Sequence, residues 1–318
     1  GEIEAAGARG VVELGREEPV TANTPFLSGS ISKSFTALAI LQLVEAGKLT
    51  LDDELSQHLT EFAGQPAGSV TLRQLLSHTS GFTTLQGNAS SAPVSSPAPQ
   101  RTPGTSWEYS NLNYQLLGRV IEVSSGRDYA SYADAEILTR AGMTHSFVSD
   151  GQTHEEMAMG HTPWFGAKRR LGHKETHRET AAQGGVVASA EDLARYMQIL
   201  LNGRDDLLSA DGKAQMLQPA NEASPSYGLG WFLDAEQGRA WHAGSSPGFE
   251  TLATMLPERR SAVIVMVNSG SGVGFGENTE LLNGVTAHAL GLPHEPSASR
   301  WVQKLTFLGL VLAPLAFL

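Results

Sequence analysis

The sequence predicts an α/β fold of the α+β type, in which an antiparallel sheet flanked by helices adjoins a mostly helical lobe. Residues 1–15 alternate like paired strands, the middle of the chain has helical periodicity, and the segments after Tyr227 change to a period of two. Short strands at both ends most simply join one sheet. We therefore assign residues 1–28 and 215–292 to a sheet lobe and residues 29–214 to a helical lobe, with a site expected in the cleft between them.

The first predicted helix of the helical lobe runs from Ser30 to Gly47. Its apolar residues cover nearly every side of the cylinder, which is typical of a buried helix. The first turn nevertheless carries Lys33, and burying an unpaired ammonium group is energetically expensive. The helix therefore needs a partner for this lysine.

Start and stop signals define the remaining helices, and alternation defines the strands. Thr71 caps a short helix that ends at Gly81, and Gly126 ends a longer helix. Ser189 and Asp192 form a capping box. The predicted helices are 71–82, 107–126, 189–203 and 277–292, and the predicted strands are 227–234, 239–243, 249–257 and 261–268. Short turns join the four strands, so we expect a meander.

The composition excludes several classes of protein. The chain has 318 residues, with 22 lysines and arginines against 33 aspartates and glutamates and a formal net charge of −11. The acidic residues are scattered and there is no basic stripe, so a nucleic-acid partner is not expected. The absence of cysteine from the sequence excludes disulfides and thiolate metal sites. We expect no cofactor and no metal.

Ser30 and Lys33 could form a nucleophile and its base. They are one helical turn apart, so their side-chain tips can meet. A serine hydroxyl is inert until a base removes its proton, and a lysine can act only where burial or nearby positive charge favours its neutral form. The alternative is a helix cap followed by a solvated lysine. The buried character of the helix favours the catalytic interpretation.

Two further polar clusters are candidates for a site. Tyr109 and Asn111 lie where a loop enters a helix. A tyrosine beside a lysine ammonium could have a lowered pKa and transfer protons, and an asparagine could bind a substrate amide; packing and capping are the alternative roles. His242 and Gly244 end a predicted strand. There a backbone N–H could bind an oxyanion, and His242 could supply a polar or cationic group above the cleft.

The three clusters, in this order, resemble the motifs of the penicillin-recognising serine hydrolases. They read SISK at 30–33, YSN at 109–111 and HAG at 242–244, in the places of S-x-x-K, a second polar motif and K-T-G. That superfamily includes class C β-lactamases, D-Ala-D-Ala peptidases, D-aminopeptidases and related esterases. The resemblance extends from residue 1 to about residue 292. It implies a β-lactamase/transpeptidase-like fold with the active site between the lobes.

The resemblance also implies roles for individual residues. Ser30 would be acylated, and Lys33 and Tyr109 would form the proton-transfer pair. Asn111 would contact the substrate amide. The N–H groups of Ser30 and Ser245 would form the oxyanion hole. The partner would be a small-molecule or peptide substrate.

One departure from the family pattern affects the expected substrate. His242 replaces the lysine of K-T-G, which removes an obligate cation for a drug carboxylate and favours peptidases and esterases. We expect a serine hydrolase that forms an acyl-enzyme on an amide or ester, most simply a D-amino-acid peptidase similar to DD-peptidases or D-aminopeptidases. An esterase or β-lactamase of the same superfamily is one alternative. A non-catalytic, membrane-tethered binding module is another.

Two other patterns are weaker. Residues 244–248 fit G-x-S-x-G around Ser246, but this nucleophile elbow requires a helix directly after the serine, and a strand is predicted there. His173 and His177 have the spacing of helical metal ligands, but their segment has the composition of a solvated polar loop. We expect neither pattern to be functional.

The C-terminal end predicts membrane association. Residues 293–304 resemble a linker, and residues 305–318 contain no charge and follow Trp301 and Lys304, as at the start of a membrane-spanning segment. A core helix is the alternative. We expect a location at the cell membrane with the catalytic domain on the extracytoplasmic side, although the basic flank favours the opposite orientation. The resemblance also implies a helix and a strand before Gly1, and the oligomeric state stays open.

Overall fold

The computed structural model describes residues 2–88, 97–164, 167–172, 176–270 and 278–294, together with 305–306, 308–309 and 312–313. The helices in these ranges are α1 Ser32–Glu45, α2 Leu55–His58, α3 Leu72–Leu76, α4 Thr84–Asn88, α5 Asn111–Ser125, α6 Tyr129–Ala133, α7 Ala181–Gly184, α8 Ala190–Leu201, α9 Ala210–Met216 and α10 Thr279–Leu290. The strands are β1 Phe26–Leu27, β2 Ser146–Val148, β3 His161–Trp164, β4 Ala167–Arg170, β5 Val186–Ala188, β6 Phe232–Asp234, β7 Arg239–Ser246, β8 Phe249–Leu256 and β9 Ser261–Val267. This mixture of helices and antiparallel strands confirms the predicted fold class.

The main sheet is a four-stranded antiparallel meander in the order β6-β7-β8-β9. β7 and β8 pair from Ala240 opposite Met255 to Ser246 opposite Phe249, with His242 opposite Ala253. β6 pairs only with the first part of β7, the segment 239–241. The next residues of β7, around Gly244, lie instead against the turn that begins α1. The predicted meander is confirmed, and its second strand carries one of the three candidate motifs.

The prediction of paired strands near the N-terminus is wrong. Residues 2–9 are exposed and have no regular secondary structure. Val11 forms an isolated bridge with Pro19, and β1 pairs with β5 in a separate three-stranded sheet of order β1-β5-β2. The alternation of this N-terminal segment comes largely from alanine, glycine and glutamate, which are depleted in strands and offer little apolar surface for a sheet to bury.

Helix α1 is surrounded by protein, as its apolar sequence predicts. A 3-10 turn, Gly29–Ile31, leads into it, and 11 of its 14 residues are buried. Phe35 stacks on Tyr196 of α8, with ring centroids 4.0 Å apart. α1 also packs against α5 and α7. The elements that carry the candidate residues therefore share one core with this helix.

The helix ends follow the predicted signals, with two exceptions. Ser189 caps α8 by accepting from the Asp192 N–H at 3.1 Å, but the predicted capping box does not form, because the Asp192 carboxylate accepts from His145 N and Ser146 Oγ and the Ser189 N–H donates to the His145 carbonyl. α5 ends at Gly126, whose φ of 73° is the left-handed conformation that glycine adopts readily. Thr71 caps α3, as predicted. This helix ends at Leu76, however, and does not reach Gly81. The left-handed backbone of His78, with φ 59°, is incompatible with a continuing helix.

The predicted membrane segment stays a prediction. Residues 295–304 and more than half of 305–318 lie outside the described residues. In the part of the chain that the structure describes, no helix combines the length and apolar character needed to cross a bilayer.

Candidate active site

Ser30 lies in the 3-10 turn at the start of α1, with its side chain partly accessible. Strand β5 holds this turn on both sides. The Ser28 N–H donates to the Val186 carbonyl at 2.9 Å, and the Val186 N–H donates to the Ser32 hydroxyl at 2.9 Å. Gly29 has a φ of 58°, which glycine adopts without the steric cost of a Cβ. The serine is therefore presented on a well-anchored turn.

Lys33 is fully buried, and its amine joins three elements of the fold. Nζ donates to Asn111 Oδ1 of α5 at 2.8 Å and to the Gln183 carbonyl of α7 at 2.7 Å. Nζ also lies 3.1 Å from Ser30 Oγ. The lysine predicted to need a partner therefore has three, and one of them is the candidate nucleophile.

The surroundings of Lys33 favour its neutral form. Burial lowers the pKa of the amine well below its ordinary value. The oxygens of Asn111 and Gln183 only accept hydrogen bonds, so they engage two N–H groups of the amine. The third direction around Lys33 Nζ faces Ser30 Oγ. In a neutral amine whose two N–H groups are already engaged, this direction holds the lone pair. Lys33 can therefore receive the Ser30 proton, as a general base must.

Tyr109 lies beside the same pair of groups. Its ring centroid lies 5.0 Å from Lys33 Nζ, and the nearby Ser30 hydroxyl opposes part of the effect of burial on the pKa of its phenol. The expectation of a lowered pKa is wrong, because burial raises the pKa of this phenol above its ordinary value. A neutral Lys33 supplies no positive charge to stabilise a phenolate. Tyr109 is therefore a protonated phenol in the resting site, able to donate a proton.

Asn111 begins α5 and connects Lys33 to the rim of the site. Its Oδ1 accepts from Lys33 Nζ, and its Nδ2 donates to Asn88 Oδ1 at 3.1 Å. Asn88 ends α4 and is exposed. A substrate carbonyl in the place of the Asn88 oxygen would receive the same N–H. The Asn111 amide can thus bind a substrate while it still orients the lysine.

Strand β7 closes the other side of the site. A Cβ added to Gly244 would lie 2.0 Å from the Ser28 carbonyl oxygen, and one added to Gly29 would lie 2.8 Å from Ser245 N. Only glycine permits such close approaches of main chain to main chain. They place the Ser245 N–H beside the turn that holds Ser30. The N–H groups of Ser245 and of Ser30, when they lie this close, can bind the same oxyanion.

His242 is buried and neutral. Its Nδ1 donates to the Ala243 carbonyl at 2.7 Å, and its Nε2 accepts from the Tyr227 hydroxyl at 3.2 Å. Burial, together with the nearby Lys33, lowers the pKa of His242 to about 3. Of the two roles expected for this residue, the polar one fits the structure. The cationic role is wrong, because the imidazole does not take up a proton in the physiological range.

Three residues of the site were not among the candidates from sequence. Gln183 contributes a main-chain carbonyl, so its residue type carries no signal. Tyr227 orients His242, and its sequence signal is the segment YGLGW at 227–231, which also resembles a segment of the penicillin-recognising serine hydrolases. His78 lies against Tyr109, with ring centroids 4.4 Å apart. These residues act on the predicted ones, which is why motif spacing alone does not find them.

The nucleophile-elbow pattern does not form. Ser246 is the last residue of β7, and after a two-residue turn the chain continues as strand β8. His173, one of the two candidate metal ligands, lies outside the described residues. Among the residues that the structure describes, no group of three or more His, Cys, Asp or Glu side chains is placed to hold a metal ion.

Known proteins match most of the length of this chain. A family model described as Beta-lactamase matches residues 1–286. PbpX of Bacillus subtilis (strain 168), named as a penicillin-binding protein, is 31% identical over an alignment of 263 residues that covers 80% of this chain and 64% of PbpX. The chain spans between 56% and 64% of the length of the curated relatives compared with it.

Solved structures show the same fold. A penicillin binding protein from Bacillus halodurans has a TM-score of 0.72 and 26% identity, covering 84% of this chain and 88% of that one. A D-amino acid amidase from Ochrobactrum anthropi SV3 has a TM-score of 0.69 and 24% identity, covering 83% and 82%. Identity this low shows the fold alone.

We predict that Gly29→Ala slows acylation of Ser30 by a fluorophosphonate probe about 100-fold, the cost of losing one oxyanion-hole donor. The added Cβ would displace Ser245 N, which it would approach to 2.8 Å. Gly47→Ala is the matched control, because Gly47 also has a positive φ, 68°, but a Cβ there meets no atom within 4 Å. Equal labelling rates for the two variants would contradict the assignment of Ser245 N–H to the oxyanion hole.

Proposed function

We propose that this chain, which belongs to the beta-lactamase family, is a serine hydrolase that cleaves amide bonds of D-amino-acid peptides through an acyl-enzyme at Ser30. The observation that carries the proposal is the buried Lys33 amine, which contacts Ser30 Oγ at 3.1 Å and has carbonyl oxygens as its other two partners. A noncatalytic binding module would have no need for this arrangement.

The geometry supports acylation in two steps. Lys33 takes the proton of Ser30 as Oγ attacks the substrate carbonyl carbon, and the N–H groups of Ser30 and Ser245 bind the oxyanion that forms. The tetrahedral intermediate then collapses. Tyr109 donates its proton to the leaving amine and regains one from the Lys33 ammonium. Water next attacks the acyl-enzyme, with the same groups working in reverse.

The charges in the site favour a substrate whose cleaved group is neutral and whose binding does not require a carboxylate. His242 occupies the position of the K-T-G lysine and is uncharged. This favours amides and esters over β-lactams, whose carboxylate would meet no cation there. Among amides, we choose D-aminoacyl amides as the substrate class because the three motifs resemble those of D-amino-acid peptidases. The same neutral site would also accept simple esters, so an esterase is the second candidate.

We predict that a fluorophosphonate probe labels the wild type at Ser30 and does not label Ser30→Ala. The reason is that Ser30 Oγ lies 3.1 Å from the buried amine of Lys33, which can act as its base, whereas Ser246 ends a strand and does not precede a helix as the nucleophile elbow requires. Ser246→Ala, at the rejected nucleophile-elbow position, serves as the control and should be labelled at the wild-type rate. Peptide mapping by mass spectrometry would locate the adduct. An adduct on Ser246, or undiminished labelling of Ser30→Ala, would refute the assignment of the nucleophile.

We also predict an order of substrates. D-alanine p-nitroanilide should be hydrolysed with a higher kcat/KM than its L-enantiomer, and both should exceed a chromogenic cephalosporin. p-Nitrophenyl acetate provides the ester reference. Hydrolysis of the ester with no turnover of either anilide would decide for the esterase. Preferential hydrolysis of the cephalosporin would contradict the inference from the neutral His242.

The pKa shifts predict the pH dependence of kcat/KM. Only the neutral Lys33 accepts the Ser30 proton, so activity should fall as pH drops through its lowered pKa and should reach its plateau below the range in which an ordinary lysine titrates. The raised pKa of Tyr109 keeps the phenol protonated across that plateau. Lys33→Arg, which stays charged, should lower kcat/KM by about 100-fold or more. A fall in kcat/KM centred near the ordinary pKa of lysine would exclude Lys33 as a buried neutral base.

A further inference from the structure

His78 has an unusual backbone for a buried residue. It lies two positions beyond the end of α3, its exposed fraction is 1%, and its φ is 59°. A non-glycine residue in the left-handed region carries strain, which persists only where the surrounding structure imposes it. The contacts of His78 indicate what is gained from this conformation.

The contacts hold the main chain on both sides of Tyr109. The His78 carbonyl accepts from the Glu108 N–H at 2.9 Å, and Nδ1 of His78 accepts from the Ser110 N–H at 3.2 Å. Asn113 Nδ2 lies 2.9 Å from the same ring nitrogen. The imidazole itself packs on the Tyr109 ring, with centroids 4.4 Å apart. His78 thus restrains the Tyr109 phenol in three ways, through its main-chain carbonyl, its ring nitrogen Nδ1 and the face of its ring.

These hydrogen bonds also determine the tautomer of His78. A peptide N–H can only donate, so Nδ1 carries no proton and Nε2 carries the only one. Nε2 is buried without a hydrogen-bond partner in the described part of the chain. Burial, with smaller effects of Lys33 and His242, lowers the pKa of His78 well below its ordinary value. The residue is therefore a neutral acceptor beside the catalytic lysine and adds no charge to it.

We propose that His78 is a positioning residue, which uses its left-handed backbone and its Nδ1 acceptor to hold the Tyr109 phenol against Ser30. The proposal deepens the proposed function and rests on it. Proton transfer requires the phenol within hydrogen-bond distance, and a displacement of about 1 Å costs on the order of 100-fold in rate. The strain at His78 is offset by this placement.

A matched pair of variants tests the proposal. His78→Gly and His78→Asn both tolerate a positive φ, but only asparagine has a side-chain acceptor near the position of Nδ1. We expect His78→Gly to lower kcat about 10-fold to 100-fold with KM within about threefold of wild type, and His78→Asn to restore most of kcat. Urea unfolding of both variants would check that they are folded under assay conditions.

The result that overturns the proposal is an equal kcat for the two folded variants, or a loss confined to KM. Imidazole 15N NMR of the wild type gives a second measurement, which does not depend on a variant. We expect His78 as the Nε2–H tautomer, and an Nδ1–H tautomer would also overturn the proposal. Absence of probe labelling at Ser30 in the wild type would instead refute the proposed function, and with it the role of His78.

Discussion

The site depends on one constraint, which is that the amine of Lys33 is buried and has no negatively charged partner among the residues that the structure describes. Its three partners are a hydroxyl, a side-chain amide oxygen and a peptide carbonyl oxygen. Burial makes the charged amine costly, so the neutral form is favoured and a base is available. The apolar helix α1 is what imposes this burial, since Lys33 lies in its first turn and the helix is surrounded by protein.

The same turn requires close packing of the sheet. Gly29 and Gly244 let β7 approach the Ser28–Ser30 turn at distances that a Cβ would prevent. β6 pairs with β7 only over residues 239–241, which leaves the next part of β7 to contact the turn. The short strand β6 and the two glycines, Gly29 and Gly244, thus bring the proposed nucleophile, in the turn before α1, close to the strand proposed to bind the oxyanion.

The sequence predicted the parts that depend on local pattern. The buried helix α1, the meander β6 to β9 and the Ser30–Lys33 contact follow from spacing and period. The N-terminal strands failed because alternation of small and acidic residues does not supply apolar surface for a sheet. The protonation states of Tyr109 and His242 failed because they depend on burial and on the neutrality of Lys33, which are properties of the folded site. Gln183 acts through its main chain, which no residue pattern reveals.

Lys33, His78 and His242 are all neutral in the resting site, and the protonation of each depends on the other two. Lys33 contributes to the lowered pKa values of both His78 and His242, so a proton on one of the three disfavours a proton on the others. In the proposed mechanism, Ser30 gives its proton to Lys33, which then becomes the one cation of these three groups at the moment when negative charge forms on the substrate oxygen. A carboxylate beside Lys33 would have stabilised the ammonium in advance and removed the base. The oxygens of Asn111 and Gln183 instead orient the neutral amine and can also accept hydrogen bonds from the ammonium. The proposed mechanism needs both forms, because in it Lys33 accepts the proton and later returns it.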